Sequence, residues 1–141
     1  MQGLPGMIAL VALSCAPMAG FAAADGARKS GEWEISVTVT GQSTNTNKFC
    51  IDAGSDDIAE TAGGGVAQSG CEEIHTEAAG GTVNIRSICK QGNSTVTMTA
   101  TLNGDLQSAY EGEVTKHYSP PLYGRTEIKS MVKGRYLGAC P

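Results

Sequence analysis

Residues 71–89 read CEEIHTEAAGGTVNIRSIC. Two short runs flank Ala79-Gly80-Gly81, and glycine supplies the positive φ that a tight hairpin requires. Centred on Gly80, the hairpin sets Cys71 directly opposite Cys89. Opposed residues of a non-hydrogen-bonded antiparallel pair have Cα atoms about 4.5 Å apart, near the lower end of disulfide reach. The stretch therefore predicts an antiparallel ribbon closed by a Cys71–Cys89 bridge.

The chain has 5 cysteines. Cys15 lies in the first segment, and Cys50 and Cys140 then pair by elimination, which pins the C-terminus. The cysteines contain no C-x-x-C spacing, so no single turn offers zinc two thiolates. An even count of the remaining cysteines suits an oxidising compartment, where disulfides persist.

That compartment agrees with the first segment. Residues 1–24, MQGLPGMIALVALSCAPMAGFAAA, contain no Asp, Glu, Lys or Arg. A continuous apolar core at 7–13 precedes the small residues Ala22-Ala23-Ala24. This is the pattern of a secretory signal peptide with a small-residue cleavage site. Pro17 and Gly20 weaken the alternative of an uncleaved anchor, which needs about 20 apolar residues. Lipidation of Cys15 is a minor alternative. After cleavage, residues 25–141 form a single exported β domain that is not an integral membrane protein.

Period-2 alternation dominates the rest. Trp33, Ile35, Val37 and Val39 alternate with polar residues over Glu32–Thr40. Val96, Met98, Ala100 and Leu102 do so over Thr95–Leu102. Successive side chains of a strand point to opposite faces, so both are half-buried strands. Face parity favours an Asn103-Gly104-Asp105 loop that pairs Leu102 with Leu106 and Met98 with Tyr110. Leu106, Tyr110 and Val114 then face inward. Ser119–Gly124 reads as a loop because its paired prolines lack backbone donors. A last strand runs from Arg125 to about Leu137, and a short one covers Phe49–Ile51. In the acidic stretch Asp52–Gly70, Asp57 and Glu60 resemble a capping box for a short helix ended by Gly63-Gly64-Gly65. The expected fold is mainly all-β. It is an antiparallel meander of about six or seven strands, curled or barrel-like, with one short helix and two disulfides.

The chain's 141 residues exclude a TIM barrel, which takes about 250. Its net charge of −4 argues against nucleic acid as a partner.

Gly31-Glu32-Trp33-Glu34, Phe49-Cys50-Ile51, Asn103-Gly104-Asp105-Leu106, Tyr110-Glu111-Gly112 and Arg135-Tyr136-Leu137-Gly138-Ala139-Cys140 occur in that order. This series resembles the bacterial domain-of-unknown-function family 3617, a group of small exported proteins. Tyr136 stands where the family more often has Trp. The resemblance implies a periplasmic or secreted protein and carries over no catalytic residue.

The chemistry is sparse. His75 lies between Glu73 and Glu77, which would suit a general base, but a solvated strand face is the favoured reading. His117 is the other histidine. No G-x-S-x-G elbow, P-loop or dinucleotide fingerprint occurs. Asp52, Asp56, Asp57 and Glu60 lack the alternate oxygen spacing of an EF-hand. No metal site, cofactor or catalytic residue is therefore assigned. Lys129, Lys133 and Arg135 alternate on one strand face and form a candidate stripe for an anionic envelope surface or acidic partner, although charges that keep an edge strand soluble are the simpler reading.

The expected function is a non-enzymatic exported binding or accessory protein. A small apolar ligand would sit between Trp33, Met98, Tyr110 and Tyr136, which are also candidate core residues. The alternative is a small secreted inhibitor or envelope-stress protein acting on another envelope protein through Ser119–Gly124. A hydrolase using His75 or His117 ranks last.

Overall fold

A computed structural model describes residues 26–52, 54, 56, 58 and 71–141. Seven strands make one antiparallel sheet: β1 (Gly31–Val39), β2 (Thr44–Ile51), β3 (Cys71–Ala79), β4 (Thr82–Gln91), β5 (Ser94–Gly104), β6 (Ala109–Leu122) and β7 (Arg125–Gly138). Their order across the sheet is β2-β1-β7-β6-β5-β4-β3. The sheet curls into a half-barrel that stays open between β2 and β3. Strands β3 to β7 form the expected meander. The β1–β2 hairpin adds to its far side, because Trp33 and Val37 meet Tyr136 and Val132 of β7 on one apolar face. The chain leaving β2 must therefore pass from one edge of the sheet to the other.

Alternation gives the strands their faces. Along β1, Gly31, Trp33 and Ile35 are buried and the residues between them half-buried. Along β5, every second residue from Ser94 to Leu102 is buried. Trp33, Met98, Leu102 and Val132 are fully enclosed. Gly134 leaves room for the Tyr110 ring, which a Cβ at that position would strike. The Trp33 ring lies 5.6 Å from the rings of both Tyr110 and Tyr136.

The registers depart from expectation in three places. In the β3–β4 hairpin, Gly80 and Gly81 both take positive φ and make a two-residue turn, with Ala79 opposite Thr82. That register alone would set Cys89 against residue 72. A bulge between Cys71 and Glu73 restores the Cys71–Cys89 opposition. The bridge joins the expected cysteines by a different route.

In the β5–β6 hairpin, Asn103 and Gly104 belong to β5, not to a loop. Leu102 faces Gly112, Met98 faces Lys116 and Gly104 faces Tyr110. The turn falls at 105–108 because the Asp105 carboxylate organises it. It accepts hydrogen bonds from the backbone N–H of Gln107 (2.8 Å) and Ser108 (2.7 Å) and from the Ser108 hydroxyl (2.7 Å). Both registers keep the same parity, so Leu106, Tyr110 and Val114 are buried as expected.

Ser119–Gly124 is not a loop. Strand β6 runs through the prolines to Leu122, and Tyr123-Gly124 forms the turn with φ of 48° and 75°. The ladder breaks between His117 and Leu122, so the prolines occupy a bulge where no donor is needed. The buried Ser94 hydroxyl donates to the Pro120 carbonyl at 2.8 Å and fixes that bulge. Strand β2 is longer than the expected Phe49–Ile51, because its Thr and Asn residues pair as an exposed polar edge. The helix expected from Asp57 to Gly65 lies outside the described residues.

Two bridges, Cys50–Cys140 and Cys71–Cys89, bracket the crossing chain. The first ties the end of β2 to the chain terminus, and the second ties the start of β3 to β4.

Candidate functional site

The residues nominated as ligand-lining do not surround a space. Trp33 and Met98 are 0% exposed and Tyr110 is 5% exposed. Trp33, Tyr110 and Tyr136 pack together, whereas Met98 sits further along β5 opposite Lys116. At this end of the half-barrel, residues 26–30 complete the core. The Lys29 N–H donates to the Leu106 carbonyl and the Trp33 indole N–H to the Lys29 carbonyl, both at 2.8 Å.

Beside them is a charged cluster that the sequence did not reveal. The Arg28 guanidinium and backbone N–H donate to the Asp56 carboxylate, and Arg28 Nη1 donates to the Tyr110 hydroxyl at 3.0 Å. Both side chains of the ion pair are almost fully enclosed. Burial would lower the pKa of Arg28, but hydrogen bonds and charge from Asp56 and Tyr110 outweigh it, and the net shift is upward. Burial likewise pushes the Tyr110 hydroxyl up. Such a pair locks the N-terminal segment to the crossing chain.

The cationic stripe exists, but each member has a carboxylate beside it. Lys129 lies 3.6 Å from Glu127, Lys133 lies 3.6 Å from Glu111 and Arg135 lies 2.9 Å from Glu34. A groove of about 460 Å³ on this outer face contains both signs of charge, from Glu34, Glu111, Lys133 and Arg135. Its fields oppose one another. The histidines stay apart, His75 against Glu77 on β3 and His117 against Glu127 on the β6–β7 ribbon. Among the described residues no group of three metal-ligating side chains converges.

The other end of the concave face is less completely filled. Val37, Val39 and Ile128 point the same way as the core yet are only half-buried. A notch of about 550 Å³ opens there, lined by Val39, Ile128, Arg125, Glu127 and Lys129 among others. From Ile128 the cross-strand row continues inward through Lys116 and Met98 to Ser87. Lys116 shares its face with the buried Val114 and Tyr118, so it points into the half-barrel. Burial holds its ammonium below the ordinary lysine pKa. Burial also raises the pKa of the Tyr118 hydroxyl, against the opposing charge of Arg125. Ser87 is 2% exposed, and its hydroxyl has no hydrogen-bond partner among the described residues.

Residues 28–140 match the family described as a protein of unknown function, DUF3617. The chain belongs to that family. No curated protein and no solved structure gives a significant match. The DUF3617 match begins at the buried Arg28 and ends at Cys140, so it takes in the ion pair and all four bridged cysteines. Among the described residues of this DUF3617 chain, no helix is long and apolar enough to cross a membrane.

One signal for the open-end site was present in the sequence. Val114, Lys116 and Tyr118 alternate with Thr115 and His117, which places a lysine on the apolar face. Ser87 occupies the same kind of position between Ile85 and Cys89.

Proposed function

We propose that this DUF3617 chain is an exported, non-enzymatic binding module that holds a small apolar ligand at the open end of its concave face. The leader-like residues 1–24 and the two bridges support export. One observation supports the ligand site above the others: Val37, Val39 and Ile128 remain half-buried beside a notch, while the Trp33 end is packed solid. Apolar concavities with a few convergent polar groups are the usual ligand sites of curled sheets.

The test uses the oxidised chain and the uncharged dye N-phenyl-1-naphthylamine. Saturable, one-site fluorescence enhancement is expected. Val39→Trp, which fills the notch, should abolish it without altering the circular dichroism spectrum. Enhancement that never saturates, or that survives Val39→Trp, contradicts the site.

A second reading rests on Tyr123. This aromatic residue is 93% exposed at the tip of the β6–β7 ribbon. It takes φ of 48°, where an ordinary side chain is unfavourable. Exposed, rigidly presented aromatics are frequent anchors of protein interfaces. Docking of an envelope protein onto this tip would coexist with the ligand site. A photocrosslinker placed at residue 123 should give one discrete adduct in cells, and the same group at Asn45 none. Equal labelling from both positions contradicts this reading.

A further inference from the structure

We infer that the tip of the β6–β7 ribbon is an interfacial anchor: residues 120–124 dip into the headgroup region of an anionic lipid bilayer, and Lys90 and Arg125 hold the chain there. The inference goes beyond the ligand-binding reading and does not depend on it. Strand pairing makes the tip an overhang. Strand β5 follows β6 only to Ser119, and β1 follows β7 only to Ser130, with one further hydrogen bond from the Thr40 N–H to the Lys129 carbonyl. Residues 121–128 therefore project beyond their neighbours, and Tyr123 at the end is 93% exposed.

The projecting residues suit a lipid–water boundary. Pro120 and Pro121 have no N–H to leave unsatisfied, and the Pro120 carbonyl already accepts from the Ser94 hydroxyl. Unpaired backbone groups are what a bilayer excludes most strongly. Leu122 and Tyr123 follow, and tyrosine is enriched at membrane interfaces, where its ring meets apolar groups and its hydroxyl reaches water. The aliphatic stem of Arg125 can lie along the same boundary with its charge among the headgroups.

Charge supplies a second, independent indication. The three turns at this end, residues 40–43, 90–95 and 119–126, contain Lys90 and Arg125 and no carboxylate. The nearest one, Glu127, is engaged by His117 and Lys129. Glu72, at the start of β3, lies beside the Cys71–Cys89–Val96–Tyr118 row, well behind the tip. The opposite end carries Glu32, Asp52 and Asp105. The net charge is −4, so an anionic surface attracts this chain only through its basic end. The 14 residues of β7 span about 45 Å, several screening lengths at physiological salt, so the far carboxylates do not cancel the attraction.

A finger one turn wide offers little beside the roughly 800 Å² per partner of a standard protein interface. A bilayer accepts such a finger from every side, which favours lipid over protein as its occupant. The notch opens in the step between the overhang and the β1–β2 turn. An apolar ligand of the notch would then enter from the bilayer rather than from water.

The test uses the oxidised chain and vesicles of phosphatidylcholine, alone or mixed equally with phosphatidylglycerol. Trp33 is the chain's one tryptophan, enclosed at the opposite end, and gives a constant background. In Tyr123→Trp, the added emission should shift to the blue on the mixed vesicles and be quenched by brominated acyl chains. In Gln107→Trp, at the opposite end, it should do neither. The double change Lys90→Gln with Arg125→Gln should weaken partitioning by about tenfold or more, and high salt should do the same to the parent. Tyr123→Asn, which suits the turn, should also weaken it.

A tryptophan at residue 123 that stays in water on mixed vesicles overturns the anchor. So does an equal shift from residue 107, which would mean adsorption without orientation. Partitioning indifferent to the two cations overturns their role. A discrete protein crosslink from residue 123 without vesicle binding would give the tip to a protein instead. Failure of dye binding in the notch leaves all these readouts intact, so the two readings fail separately.

Discussion

Arg28 and Asp56, 28 residues apart in sequence, form an ion pair with side-chain exposures of only 1% and 4%. One partner comes from the segment before β1 and the other from the chain crossing between the sheet edges. Enclosed pairs of this kind gain little over apolar replacements, yet removing one partner leaves a stranded charge. Asp56→Ala should therefore destabilise the fold by about 3–5 kcal/mol, whereas the double change Arg28→Met with Asp56→Leu should recover most of the loss. Urea unfolding midpoints of the parent and the two variants check this. A mild Asp56→Ala would mean that the pair is open to water.

The bridges should contribute unequally. Cys50 and Cys140 are 90 residues apart, and Cys71 and Cys89 are 18 apart. Loop-closure entropy assigns about 5 kcal/mol to the longer loop and about 3 kcal/mol to the shorter. Paired Cys→Ala replacements, compared by denaturant titration, should rank in that order. The reverse ranking would locate the clamp at the β3–β4 hairpin.

Tyr123 occupies the first position of a two-residue turn with positive φ at both positions, where Asn-Gly is the favoured pair. Tyr123→Asn should raise stability by about 0.5–1 kcal/mol, seen as a higher melting temperature. If Tyr123 anchors a partner, the same change removes the discrete crosslink. A stabilised variant with intact docking would leave the tyrosine without that role.

Asp105 gives a pH signature. Hydrogen bonds from the Ser108 hydroxyl, then from the backbone N–H groups of Ser108, Gln107 and Ala109, hold its carboxyl well below its ordinary value of 3.8. A depressed folded pKa means that its contribution is complete above 3.8 and fades as the pH falls towards the lower folded value. Asp105→Asn should therefore be less stable than the parent at pH 7, with the gap narrowing below about pH 4. A constant gap from pH 7 to 2 would show that the loop is indifferent to the charge.

Strands with strong alternation were legible in the sequence. The apolar positions of β1 and β5 and the inward set Leu106, Tyr110 and Val114 follow from parity alone. Register was less legible, because it depends on devices that composition does not reveal. The bulge before Glu73 and the Asp105-centred loop are set by backbone geometry and local hydrogen bonds. The β2 strand lacks apolar alternation at Thr44–Lys48 and declares itself only by pairing with β1. Paired prolines suggested a loop, whereas Ser94 and a bulge accommodate them within a ribbon. The candidate ligand residues were chosen for bulk, and bulk filled the core. The open end is lined by smaller residues such as Val39, Thr40 and Ile128. Arg28 and Asp56 lie outside the regular strands, so no periodicity could have joined them.

The most direct test of an exported, bridged, ligand-holding half-barrel is a native mass spectrum of the chain purified without denaturant from the envelope of cells that make it. The expected mass is that of residues 25–141 less four hydrogens for the two bridges, plus a small molecule that collisional activation removes. A spectrum of the full 141 residues with free thiols and no bound mass would contradict it.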